Sequence, residues 1–298
     1  MQLVWYPADG SSPITFPGTL AGNDGDIVMS SMMNHVGFAG APVTHQTLKS
    51  PNQDGVSYLW TVYEPRVISF DVMVQTASLQ DLLDTQGMLT GMFDASKGIG
   101  SLVWIQQNGK QYLLKCIANG NCPSNPADPQ NRGPQHQRYT FPMIAHDPFW
   151  YSGSAHVVYF AFIGKSFFPF NFPFNFQSPH SPTQNLINQG SAKTPVYVLF
   201  TGPMTNPVLT NSLTGKTLGI TLVLAAGETF EVNTDKNDIY ATYHSLGGNL
   251  NGNPYLNNMV TLAEFLLEAG DNPVTLSSSS SGSGAQAMIQ WSDKYVGV

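Results

Sequence analysis

Gly164-Lys165-Ser166 and Gly215-Lys216-Thr217 each match the end of a phosphate-binding loop, where backbone amides and a lysine surround a phosphate. The glycine that such a loop needs five positions upstream is Tyr159 in one case and Thr210 in the other, and neither triplet opens a helical pattern, so no nucleotide site is expected. Neither GxSxG nor HExxH occurs. The histidines (His35, His45, His136, His146, His156, His180 and His244) lack the short spacings that bring two imidazoles to one metal. They read as surface or hydrogen-bonded structural residues. Among the carboxylate pairs, Asp81 and Asp84 share a helical pattern, Glu228 and Glu231 sit on one strand pattern, and Glu264 and Glu268 read as solvated, which gives a glycosidase no obvious acid pair. Cys116 and Cys122 bracket an Asn-Gly turn; two reduced, partly buried thiols are expected there, with no further soft ligands at zinc spacing. No cofactor, no metal and no catalytic residue is expected.

The composition agrees. Charged residues are 10% of the 298, far below the usual quarter, and the net charge is −7, so neither a nucleic-acid-binding surface nor an anionic-membrane surface is indicated. The opening MQLVWYPADG lacks a secretory pattern, and the apolar stretch from His156 to Phe176 is broken by Lys165, Pro169 and Pro173, so no span of a bilayer is expected. Gly (28) and Pro (21) punctuate many short runs, the signature of strands joined by turns.

The elements follow from periodicity. Tyr58 to Gln75 reads as a strand through the alternation of Ile68, Phe70, Val72 and Val74. Ser78 opens a helix near 79–95 along which Leu79, Leu82, Leu83, Leu89, Met92 and Phe93 recur at helical spacing. SLVWIQQ and KQYLLKCI flank Asn108-Gly109, a hairpin with a type I′ turn, and Gln137 to Ala145 reads as a further strand. Pro148 closes a first domain, 1–150. Residues 151–194 form a junction or insertion in which Phe168, Phe170, Phe172, Phe174 and Phe176 alternate with prolines and asparagines; extended, the five rings share one side. They fold back on their own subunit's core or dock on a neighbouring subunit. From 195 to 298, runs such as VYVLFTG, TFEVNT, MVTLAEFLLEAG and AQAMIQW describe an antiparallel sandwich, with Ser277 to Gly284 a flexible loop before a last strand. The expected fold class is all-β with one main helix. With so few lysines to block open sheet edges, pairing with another copy is the expected use of those edges.

Several segments then resemble the distal tail protein family of long-tailed, siphovirus-type bacteriophages. They are Pro65-Arg66-Val67-Ile68-Ser69-Phe70, the Leu102-Val103-Trp104 hairpin, Asp147-Pro148-Phe149-Trp150-Tyr151, Asn211 to Leu222, Ala226-Gly227-Glu228 with Val232-Asn233-Thr234, Glu268 to Asn272, and Trp291 to Val298, in that order. The resemblance implies an N-terminal split-barrel or β-sandwich ring domain and a galectin-like C-terminal sandwich. It implies a homohexameric ring at the tail tip of the virion, assembled in the host cytoplasm. The implied partners are the tail tube protein, the tail hub or tip protein, the tape measure protein and a receptor-binding protein, with a channel that DNA crosses unbound. An acidic wall would let DNA slide; the same acids equally serve solubility. Against lectin activity, no arginine follows Arg138, and the polar half of a galectin site is missing; Trp291 and His244 are the weak candidate glycan contacts. A host-surface carbohydrate module and a β-rich cell-envelope hydrolase are the alternative functions.

Overall fold

The computed structural model describes residues 2–22, 25–125, 131–162, 181–257 and 262–298. The chain forms two compact units: Met1–Gly153 together with Tyr295–Val298, and Ser154–Lys294. The five phenylalanines Phe168, Phe170, Phe172, Phe174 and Phe176 lie outside the described residues.

The first unit contains β1 (Gln2–Tyr6), β2 (Ile14–Phe16), β3 (Gly18–Ala21), β4 (Asp26–Val36), β5 (Val43–Leu48), β6 (Ser57–Tyr63), β7 (Arg66–Gln75), α1 (Leu79–Met92), β8 (Gly100–Ile105), β9 (Gln111–Ala118), β10 (His136–Ala145) and β11 (Trp150–Ser152). Its main sheet runs β2-β1-β8-β9-β10-β7-β4-β3. The two outermost strands, β2 and β3, are separated by Pro17 alone, so the sheet curls back on itself into a nearly closed barrel. Gly18 permits that corner: a Cβ there would lie 2.5 Å from the Thr15 carbonyl oxygen. Alternation fills the interior. On β7, Arg66, Ile68, Phe70, Val72 and Val74 are buried, and on β10, Gln137, Tyr139, Phe141, Met143 and Ala145. Phe70 faces Phe141 in register, with stacked rings 5.1 Å apart.

Helix α1 starts where Ser78 caps it, its hydroxyl accepting from the Asp81 amide at 3.1 Å. Leu82 and Leu89 enter the barrel core, and Phe93 just beyond the helix stacks on Trp5 with 5.1 Å between rings.

Three local expectations are corrected. The run from Tyr58 to Gln75 is two strands, because Pro65 has no amide to donate and Glu64 turns back to bond Pro42 at 2.9 Å. The β8–β9 hairpin forms, but only Gly109 has positive φ (80°), and the Gly109 amide donates to Gln106. That is a type I turn ended by a left-handed glycine, not the type I′ turn, because Asn108 keeps ordinary φ and bonds the Lys110 amide through its side chain. Ser277 to Gly284 is tied down: Ser280–Ser281 pairs with Met204–Thr205, and the Ser278 hydroxyl donates to the Thr205 carbonyl at 2.7 Å.

The second unit has a six-stranded and a four-stranded antiparallel sheet. The first takes the order 156–161, 286–291, 197–201, 229–233, 240–245, 248–251, and the second 183–188, 270–277, 208–211, 217–219. Phe160, Phe200, Phe230 and Ile289 from one sheet and Leu186, Leu209, Val274 and Leu276 from the other share one core, a sandwich. Two of these strands, His156–Ala161 and Thr183–Asn188, come from the span read as a junction. In place of the strand read across Met259 to Gly270, the described part holds a short 3-10 turn, Leu262–Glu264, and the two-residue strand Leu266–Leu267.

Candidate assembly surface

β5 and β6 form a separate two-stranded sheet. Thr44 faces Val62 and Gln46 faces Trp60 in register, and Val43 faces Tyr63 and His45 faces Thr61 between them, so apolar side chains project from both faces. Neither face is covered: Tyr58 is 61% exposed, Leu48 58%, Trp60 56% and Val62 41%. A lone hairpin is marginal in water, and a contiguous apolar surface of this kind marks a contact site. Neither strand carries a Lys, Arg, Asp or Glu, so its outer edges present backbone amides and carbonyls with no charge to repel another strand.

The hairpin is ordered by local bonds rather than by a core. Thr61 Oγ1 receives contacts from the Tyr58 hydroxyl at 2.8 Å and His45 Nδ1 at 2.9 Å, and the rings of His45 and Tyr58 meet edge to face. At its root, Tyr63 packs edge-on against Phe149, with centroids 4.9 Å apart. Periodicity does not reveal this arm: nothing in the sequence pattern marks Val43–Leu48, and the run from Tyr58 reads on through Pro65 into the barrel strand after it. The signal was present in YLWTVY, where Tyr58, Trp60 and Tyr63 occupy both parities, whereas a half-buried strand keeps its large rings on one.

In the first unit the barrel nearly closes, while the two-stranded β5–β6 sheet ends on both sides without a further strand.

In the second unit, Trp291 and His244 are not brought together. Trp291 is 5% exposed, directed into the sandwich core with His156 stacked on it at 5.2 Å, which leaves no face for a sugar ring. His156 also contacts Asp293 at 2.9 Å, and Asp293 accepts from the Gln189 amide. His244 lies on the outward side of the same sheet. Its Nδ1 contacts Asn249 Oδ1 at 2.8 Å and its Nε2 lies 3.4 Å from Glu231, whose other oxygen accepts from the Tyr197 hydroxyl at 2.8 Å. Burial first, then the Glu231 bond, pushes the Tyr197 phenol up.

The remaining candidates are structural. Lys216, of the second GKT triplet, pairs with Glu264 at 2.7 Å on the surface, and Lys193 pairs with Glu268. Glu228 does not share a strand with Glu231: it precedes Thr229–Asn233 and accepts from the Ala225 amide at 2.9 Å, which lowers its carboxyl. Both cysteines are free thiols; Cys116 is buried, Cys122 half-buried, and burial raises both, Cys122 to about 12. Among the described residues no group of three or more His, Cys, Asp or Glu side chains is arranged to hold a metal, and no helix is long and apolar enough to cross a membrane.

Residues 23–140 match the family model for the phage tail protein RIFT-related domain. In three dimensions the chain is similar to the Dit protein of phage SPP1, described as a paradigm of the hub adsorption apparatus in phages infecting Gram-positive bacteria. The TM-score is 0.64 at 10% identity, over 99% of each chain. It is also similar to a chain of the phage P2 baseplate in its activated conformation with Ca, at TM-score 0.52 and 11% identity, covering 100% of this chain and 99% of that one. The P2 baseplate with Sr gives TM-score 0.51 at 12% identity and the same coverage. No curated protein matches the sequence. At these identities the structural likeness is one of fold, and together with the domain match it bears out the resemblance read from the motifs.

Proposed function

We propose, for a chain that carries the phage tail RIFT-related domain in its first unit and the distal tail protein fold along its length, that it is a non-enzymatic ring component of a virion tail tip. Six copies close a ring through their first units. The ring joins the tail tube to the hub and the receptor-binding apparatus and leaves a channel for DNA. The observation that carries this reading is the β5–β6 arm, which is uncharged and carries exposed apolar side chains on both faces. Seating that arm on an adjoining copy would remove its apolar surface from water and give its edges strand partners, the two things it lacks alone. The phenylalanine-rich segment Phe168 to Phe176 is proposed as a second contact, made with a neighbouring subunit or with its own.

Electron microscopy of the purified chain tests the proposal. Six-fold rings with a central hole are the expected images. A species that stays monomeric at every concentration, and is missing from tail tips of virions, would refute it.

A second reading rests on the outward cluster of Tyr197, Glu231, His244 and Asn249. These cross-linked hydrogen-bonding groups beside a phenol suit the hydroxyls of a neutral saccharide. It predicts binding to host cell-wall glycans that is lost in Glu231→Ala and His244→Ala and unaffected by conservative replacement of Trp291 with Phe.

A further inference from the structure

We infer that Arg66 and residues 295–298 form a clasp that fixes the pose of the β5–β6 arm, making the segment that closes the first unit a positioning element for assembly. The inference rests on the arm being the assembly element.

Arg66 is fully buried, and none of the ion pairs among the described residues includes it. Its guanidinium is solvated by carbonyls. Nε donates to Pro148 at 2.7 Å, Nη1 to Gly37 at 2.6 Å and Ala39 at 2.7 Å, and Nη2 to Val296. A rigid fork that stays charged can organise four acceptors at once, which a lysine ammonium on a flexible stem cannot.

Three of the four acceptors are placed where the arm is attached. Gly37 and Ala39 belong to the chain that enters β5 at Val43, and Arg66 itself follows the end of β6 at Tyr63. Pro148 precedes Phe149, whose ring packs on Tyr63. One guanidinium therefore holds both legs of the arm and the ring that braces it. The fourth acceptor, Val296, comes from residues far away in sequence. Tyr295 meets Tyr112 edge to face at 5.1 Å, and a Cβ on Gly297 would lie 2.5 Å from the Ala39 oxygen and 2.6 Å from its carbonyl carbon. The tail is thus pressed against the leg of the arm so closely that only glycine fits. Any movement of 296–298 is transmitted to Ala39 through backbone contact and through the shared guanidinium.

The test uses the full chain with Gly297→Ala, which pushes on the arm's leg, and Arg66→Lys, which keeps the charge but loses the fork. Hydrogen exchange is read on Tyr63 and Glu64 at the arm root and on β1, which neither Arg66 nor the tail contacts through a hydrogen bond or ring pair described above, as an internal reference; ring formation is read by sedimentation. In each variant the root amides are expected to exchange about tenfold faster with β1 unchanged, and rings to need about tenfold more protein. Root exchange equal to the unmodified chain in both variants overturns the clasp, and so does an equal rise across β1, which would make these residues mere stabilisers of the barrel. If the unmodified chain forms no rings, the reading of the arm as an assembly element falls, while the exchange comparison still decides the clasp.

Discussion

Two hairpins in the first unit are built from similar residues and meet opposite fates. β8–β9 pairs GSLVWI with QYLLKCIA, and Leu102, Leu114 and Cys116 disappear into the barrel. β5–β6 pairs VTHQTL with SYLWTVY, and none of its large apolar side chains is buried. Strand propensity and hydrophobicity do not separate them. What differs is the neighbour: β8 and β9 each pair with a further strand, β1 and β10, whereas the arm's sheet ends after two strands. Apolar content is alike in the two hairpins, and topology decides which of them its own unit covers.

The comparison breaks most sharply through Trp60→Ser combined with Val62→Ser. Both side chains share one exposed face of the arm, so the isolated chain should keep its stability within about 0.5 kcal/mol, as ordinary surface substitutions do. Ring assembly should need at least about a hundredfold more protein, because aromatic anchors carry a disproportionate share of an interface. Thermal unfolding and sedimentation of the same sample check both halves. An equal loss of stability would show the arm to be part of the unit's own core.

Phe141→Ala probes the other side. Phe141 is fully buried and touches Phe16, Phe70 and Phe93 with ring centroids between 4.7 and 5.3 Å. Its removal should cost about 3–5 kcal/mol in denaturant unfolding and leave the second unit's transition in place.

The barrel's interior was the more legible region for a physical reason. β10 alternates strictly and β7 does so except at Asp71, which is buried on the other face under Arg138 and Thr140, and that pattern is local information. The helix start at Ser78 is equally readable, since capping depends on residues three apart, whereas the end read near 95 falls past the observed stop at Met92. Barrel closure was not, because it depends on a single corner at Pro17-Gly18 and on pairings between distant strands. The arm was hidden for a related reason: exposure on both faces leaves no period to detect. Parity separates the two candidate sugar contacts. Trp291 and His244 fall on inward and outward positions of one sheet, which the sequence could reveal only once register was known.

Alkaline titration separates the two regions without mutation. Burial raises the Cys116 and Cys122 thiols, and it raises the Tyr139 phenol to about 12. Each group is more basic folded than unfolded, so its contribution is fully present below the unfolded value, near 9 for thiols and 10 for the phenol. It is lost as pH rises toward the folded one. Stability of the first unit should therefore be flat from pH 7 to about 8.5 and decline progressively above. Both thiols should resist alkylation at pH 8 until denaturant is added. A thiol that reacts rapidly in the native chain would show that the β9 region opens independently of the barrel.

Ser78→Ala gives the smallest expected change and the finest resolution of the contrast. The hydroxyl satisfies one of the four amides that the first turn of α1 leaves without a helical partner, and the helix in turn delivers Leu82 and Leu89 to the barrel. Loss of the cap should cost about 1 kcal/mol in denaturant unfolding. Because α1 belongs to the barrel's core and not to the arm, that loss should appear in the stability of the single chain and leave the concentration for ring formation unchanged. If the cap variant instead shifts assembly while stability holds, the division between a self-contained barrel and a partner-dependent arm is drawn in the wrong place, and α1 stands on the assembly side of it.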